Sequence, residues 1–143
     1  MVVRAERVVR IPAPRERVWE FIDDAEKRAR PISVVEDFEL LSDSEAVWQV
    51  SLPIPLSDRT LRVETEDQNR TPPEYVEFVG NSKAFRVIGE HELTEVDGET
   101  ELRLSFSVDG RVPGVERFFK KNIDAELENL EQAILSDLGL ETE

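Results

Sequence analysis

The sequence contains no cysteine among its 143 residues and a single histidine, His91. The lack of cysteine excludes disulfide bonds, thiolate metal ligands and cysteine nucleophiles. It is also compatible with a reducing compartment, so we expect a cytoplasmic protein. No apolar run exceeds a few residues, and the N-terminal stretch MVVRAERVVR lacks the apolar segment of a secretory signal. We therefore expect no stable membrane insertion.

Basic residues are also scarce relative to acidic ones. The chain has 18 Lys and Arg against 32 Asp and Glu, for a formal net charge of −14 at pH 7. A field of this sign repels phosphate backbones, so we expect no nucleic-acid partner. The acidic residues are dispersed rather than collected in one run, which indicates a solvated acidic surface. This acid-rich, lysine-poor balance resembles that of proteins from salt-accumulating halophiles.

Hydrophobic residues, at 39% of the chain, suffice for the core of one domain. No linker or repeat divides the sequence, and we expect a single domain over residues 1–143. Alternation of apolar and polar residues predicts a first strand over 2–11. Apolar residues at helical spacing then predict two short helices, over 14–22 and 25–29, with Asp23 and Asp24 ending the first and capping the second.

Alternation with a period of two resumes at residue 34. It predicts six more strands, over residues 35–41, 46–52, 61–65, 75–79, 85–93 and 102–108. Their connections are short, and Asp97-Gly98 is the strongest hairpin signal, so an antiparallel sheet is favoured. An amphipathic pattern over 115–138 predicts one long helix that can cover an apolar sheet face. The expected fold is α+β, in the order β-α-α-β-β-β-β-β-β-α.

Residues 11–24, which read IPAPRERVWEFIDD, carry a resemblance to a known family. An apolar strand end, Ala13-Pro14, Val18-Trp19 and a following Asp23 are similar to a signature of the START-like, or SRPBCC, superfamily. The last hairpin and the long helix agree with that superfamily in order, so the resemblance covers nearly the whole chain. Within it, the chain is most similar to three branches: the polyketide cyclases, the coenzyme-Q-binding proteins and the relatives of a small carbon monoxide dehydrogenase component.

The resemblance implies a helix-grip fold, in which a curved seven-stranded antiparallel sheet wraps around the C-terminal helix and encloses an apolar cavity. Members bind lipids, quinones, sterols or polyketides, and some are cyclases. The apolar faces of the sheet and the helix supply the expected ligand contacts. These candidates are Trp48, Val63, Phe78, Phe85, His91, Phe106, Phe119 and Ile123. In a domain without a cavity, the same side chains would simply close-pack as core.

His91 is the one weak candidate for catalysis, and no nucleophile context accompanies it. Its neighbours Glu90 and Glu92 point to the opposite face of a strand, so the three side chains do not converge on a metal. We therefore predict no metal and no cofactor. Arg62, Arg86 and Arg103 fall on the solvent side of their strands, which argues against an arginine-anchored carboxylate site. The segment PIPL over residues 53–56 predicts a rigid loop or a cavity lid.

Three functions remain open on the sequence. The leading hypothesis is a non-enzymatic protein that holds an apolar small molecule such as a lipid, quinone or polyketide. The second is a cyclase, aromatase or dehydratase that uses His91 with a cavity carboxylate. The third is an assembly or maturation factor for a partner enzyme. A void of several hundred Å³ favours ligand binding, whereas a filled interior favours a scaffold role. The oligomeric state is not indicated.

Overall fold

The computed structural model describes residues 2–53 and 60–140, and in them seven strands and three helices follow one another in the predicted order. The elements are β1 (Val2–Ile11), α1 (Arg15–Ile22), α2 (Ala25–Ala29), β2 (Val35–Leu40), β3 (Glu45–Val50), β4 (Leu61–Thr71), β5 (Tyr75–Asn81), β6 (Phe85–Val96), β7 (Glu99–Gly110) and α3 (Val115–Asp137). Residues 54–56, in which we predicted a loop or lid, lie outside the described residues.

The strands form one antiparallel sheet in the order β1-β7-β6-β5-β4-β3-β2. The helix α3 packs mainly against β1 and β7, so the sheet curves around the helix as the helix-grip prediction requires. The predicted α+β class and topology are therefore confirmed. None of the helices in residues 2–53 and 60–140 is long and apolar enough to cross a membrane.

Local sequence signals account for the connections. Asp24 caps α2, since its carboxylate accepts hydrogen bonds from the backbone N–H groups of Glu26 and Lys27 at 3.0 and 3.1 Å. Asp97 and Gly98 both have positive φ values, 52° and 79°, and join β6 to β7 as a two-residue hairpin. This is the turn geometry that an Asp-Gly pair favours, because both central residues must be left-handed.

Strand β4 is the element that the sequence predicts least well. It runs to Thr71, six residues beyond the predicted end at residue 65. Residues 64–70 are polar almost throughout, so apolar alternation gives no signal there. Backbone pairing supplies the order instead, since Glu66 lies opposite Glu45 of β3 and Asp67 lies opposite Phe78 of β5.

The core lies between the inner face of the sheet and the apolar stripe of α3. Along α3, the predicted residues Val115, Phe119, Ile123, Leu127, Leu130 and Ile134 are all buried. On the sheet, inward residues of β3 to β7 are buried, whereas the side chains of Arg62, Arg86 and Arg103 are exposed as expected. The period of two in the strands and of 3.6 in the helix thus brings two apolar surfaces together.

Candidate functional site

A pocket lies between the inner sheet face and α3. Its volume is only about 30 Å³, and its lining is entirely apolar. The lining side chains come from the α2–β2 connection, from strands β3, β5, β6 and β7, and from α3. They are Ile32, Val34, Trp48, Val50, Phe78, Phe85, Val87, Phe106, Val108, Phe119, Ile123 and the stem of Glu126.

Six of the eight side chains predicted to contact a ligand line this pocket: Trp48, Phe78, Phe85, Phe106, Phe119 and Ile123. The other two, Val63 and His91, are fully buried but do not form its wall. The sequence therefore identified the surfaces that meet at the pocket, because strand parity and helical spacing define those surfaces. It did not identify which inward residues lie next to empty space.

Phe78 is the centre of the aromatic part of the wall. Its ring centroid lies 5.5 Å from that of Trp48, 6.1 Å from that of Phe106 and 6.0 Å from the imidazole of His91. The ring lies across Gly89 of β6, where a Cβ atom would come within 2.7 Å of Phe78 Cζ. Glycine at this position thus makes room for the ring against the sheet backbone.

A second aromatic group lies where the sheet meets the first turns of α3. The rings of Phe85 and Phe119 are 5.4 Å apart, and Phe119 is 5.1 Å from Phe118, both pairs in edge-to-face geometry. Such pairs add to the free energy of burial. Together with Phe78 and Phe106 they leave little free space, and 30 Å³ has room for one or two water molecules.

Glu126 is a buried carboxylate that the sequence pattern did not predict. It is 4% exposed and lies one turn after Ile123 on the inner side of α3. One oxygen accepts hydrogen bonds from the Ser33 backbone N–H and from Asn129 Nδ2, both at 3.1 Å, and the other accepts from the Ser33 hydroxyl at 2.8 Å. Glu126 thereby ties the α2–β2 connection to α3. An acidic residue beside Leu127 on the apolar stripe was the available signal.

A buried ion pair, Arg28 with Asp67, was also not predicted. Arg28 Nη2 donates to Asp67 Oδ1 at 2.5 Å and Nη1 donates to the Ile22 carbonyl at 2.9 Å, with both side chains less than a tenth exposed. Burial lowers the pKa of Arg28 and raises the pKa of Asp67, while the attraction between them opposes both changes. The pair fixes α2 against β4. The Arg28 guanidinium carbon lies 5.9 Å from the Phe78 ring centroid.

His91 lies behind the pocket wall, with its ring against Phe78 and, at 6.4 Å, against Phe106. Its Nδ1 is 3.4 Å from the Val76 carbonyl oxygen, and its Nε2 is buried with no hydrogen-bond partner among the described residues. Burial, aided by the positive charge of Arg28, lowers the pKa of His91 to about 3. The imidazole is therefore neutral at physiological pH, which suits a general acid or base near pH 7 poorly.

The acidic neighbours of His91 lie on the outer face of the sheet. Glu90 accepts a hydrogen bond from the Tyr75 hydroxyl at 2.9 Å, and Glu92 lies 3.8 Å from Arg103 Nε. Over the described part of the chain, no group of three or more His, Asp or Glu side chains is arranged to hold a metal ion. The chemistry available at the pocket is thus apolar contact, with one hidden imidazole behind it.

Comparison with known proteins gives a match over most of the chain. Residues 2–134 match the family model described as "Polyketide cyclase / dehydrase and lipid transport". No curated protein sequence matches.

Solved structures share the fold. A conserved protein from Geobacillus kaustophilus superposes with a TM-score of 0.78 at 14% identity, covering 96% of this chain and 95% of that one. A START superfamily protein from Mycobacterium smegmatis gives 0.73 at 14% identity, covering 94% and 95%. The Zhui aromatase/cyclase from Streptomyces sp. R1128 gives 0.68 at 17% identity, also covering 94% and 95%. At these identities the likeness shows a common fold and no more.

Proposed function

Because the chain belongs to the polyketide cyclase/dehydrase and lipid-transport family of the START-like superfamily, we propose that it binds an apolar small molecule between the sheet and α3. The ligand is of the lipid, quinone or polyketide kind. The observation that carries the proposal is the wholly apolar pocket at the contact of sheet and helix. Small-molecule sites are characteristically apolar, with few polar groups.

Binding requires the pocket to expand. A volume of about 30 Å³ is an order of magnitude below the several hundred Å³ that a ligand of this size occupies. The wall residues Phe85 and Phe119 pack against each other across the sheet–helix contact, so a ligand that separates them opens space. The α2–β2 connection, which carries Ile32 and Val34, must also move, and its polar attachment to α3 is Glu126 with Ser33.

The first experiment asks whether the native protein carries a ligand. The purified chain from its own host is analysed by native mass spectrometry and solvent extraction, and the empty form is titrated with a quinone and a fatty acid. A bound apolar species, or saturable titration, is the expected result. Absence of both contradicts the proposal.

A matched pair of variants locates the binding. Ile123→Phe enlarges a pocket-lining side chain, and we expect it to fill the free space and weaken binding at least tenfold. Ala125→Phe adds an aromatic ring on the exposed side of the same helix and should leave affinity unchanged, since Ala125 is solvent-exposed. Equal effects of the two substitutions would place the binding elsewhere.

The nearly filled interior favours a second candidate, an assembly or maturation factor that acts through its surface. Pull-down from the native host at high salt tests it. A stoichiometric partner enzyme that is retained by the Ile123→Phe variant supports the second candidate, because filling the pocket leaves the surface unchanged. The enzymatic alternative, a cyclase, aromatase or dehydratase, is tested by turnover in His91→Ala, which should be lost if His91 acts as acid or base.

A further inference from the structure

The unsatisfied nitrogen of His91 indicates what kind of ligand the site takes. Val76 and His91 lie opposite each other on β5 and β6, and Nδ1 faces the Val76 carbonyl oxygen at 3.4 Å. A carbonyl only accepts, so the ring proton resides on Nδ1 and the lone pair on Nε2. That lone pair is buried and has no partner in the described residues. Buried polar atoms without partners are rare and costly.

His91 is separated from the pocket by a single layer of rings. Phe78 and Phe106 each contact its imidazole, and both line the pocket on their other side. Since a ligand must displace wall side chains to enter, movement of either ring brings the ligand to Nε2. The expanded pocket would then have one polar group at its end, which is the usual composition of a small-molecule site.

We propose that the binding site extends past Phe78 to His91, and that Nε2 accepts a hydrogen bond from a hydroxyl group of the ligand. This inference rests on the proposed function, because it names the ligand class of the same site. The imidazole stays neutral, since burial and Arg28 hold its pKa at about 3, so Nε2 acts only as an acceptor. The site therefore selects phenols, hydroquinones and alcohols over quinones, ethers and ionised carboxylates, which carry no donor.

A water molecule is a poor substitute for the ligand at this position. A buried water requires two to four polar partners. The groups around His91 are the rings of Phe78 and Phe106 and the Val76 carbonyl, which already faces Nδ1. A ligand hydroxyl needs only the one hydrogen bond to Nε2, because apolar contacts hold the rest of the molecule in the pocket.

The test uses three probes of equal ring size: 1-naphthol, 1-methylnaphthalene and 1-methoxynaphthalene. Affinities are measured by calorimetry for the wild-type chain and for His91→Phe, which keeps an aromatic ring but removes the acceptor. We expect His91→Phe to bind 1-naphthol about tenfold more weakly than the wild type and to bind the other two within about twofold of it. Equal discrimination by both proteins overturns the inference.

A second measurement does not depend on the variant folding. His91 is the only histidine, so its ring nitrogens give a single pair of signals in a ¹⁵N spectrum. The Nε2 signal should shift on saturation with 1-naphthol and stay in place with 1-methylnaphthalene. If all three probes bind and Nε2 responds to none, the hydroxyl site is wrong while apolar binding stands. If no probe binds, the proposed function fails and this inference fails with it.

Discussion

Replacing Gly89 by alanine tests whether the Phe78 ring lies against the sheet backbone as described. Gly89 lies opposite Phe78 on one neighbouring strand and opposite Phe106 on the other. An added Cβ would stand 2.7 Å from Phe78 Cζ and 2.8 Å from Cδ1, with Cε1 closer still. Carbon atoms in contact lie about 3.5–4.0 Å apart, so the ring must move by about 1 Å or more.

Two opposing effects set the size of the change. Gly89 is not among the residues with positive φ, so alanine fits the backbone and its lower chain entropy favours folding by about 0.5–1 kcal/mol. Displacing a packed ring costs about 1–3 kcal/mol. Phe78 is 3% exposed and contacts Trp48, His91 and Phe106, so it has little room to yield. We therefore expect Gly89→Ala to lower the free energy of unfolding by about 1–2 kcal/mol.

Urea unfolding followed by tryptophan fluorescence measures the effect, and a double-mutant cycle with Phe78→Leu isolates its cause. Leucine removes the ring, so in that background Gly89→Ala should be neutral or stabilising by up to about 1 kcal/mol. The resulting coupling energy is about 1–3 kcal/mol. A neutral Gly89→Ala, or the same cost in both backgrounds, would show that the ring does not lie across Gly89.

Three further changes test the polar interior and the acidic surface. Arg28→Met leaves Asp67 buried without its partner and should cost about 3–5 kcal/mol in urea unfolding, whereas the exposed Arg30→Met should cost less than about 0.5 kcal/mol. Because the folded-state pKa of His91 is about 3, below its value in the unfolded chain, His91 contributes stability that is complete above about pH 6.5 and is lost as pH falls toward 3. That part, up to about 5 kcal/mol, should vanish from the pH dependence of unfolding in His91→Phe, and an unchanged profile would contradict the burial of the ring. If the net charge of −14 reflects adaptation to salt, the melting temperature should rise by several degrees between 0.05 and 1 M KCl, and a flat response would count against that interpretation.

Much of the architecture could be predicted from local patterns. The strand over residues 85–93 and the helix over 115–138 have strong periodicities, and the structure agrees with both to within a few residues at their ends. The Asp97-Gly98 hairpin was predictable because a two-residue turn depends only on its own backbone. The outer half of β4 could not be found in this way, because polar residues there carry no periodicity and sheet pairing alone orders them.

The pocket was only half predictable. Strand parity and helical spacing selected the correct surfaces, yet its volume depends on how closely α3 approaches the sheet. That distance is set by the packing of Phe85 against Phe119 and of Phe78 against Gly89, which no linear pattern records.

Sequence alone is sufficient where the physical cause is short-ranged. The alternation of apolar residues, the caps and the turns act within a few positions, so they reveal the elements, their order and their buried faces. Buried polar contacts have a different origin. Arg28 meets Asp67 across 39 positions and Ser33 meets Glu126 across 93, and only the folded chain brings these groups together. The same holds for His91, whose character follows from the rings and the charge that surround it in the fold.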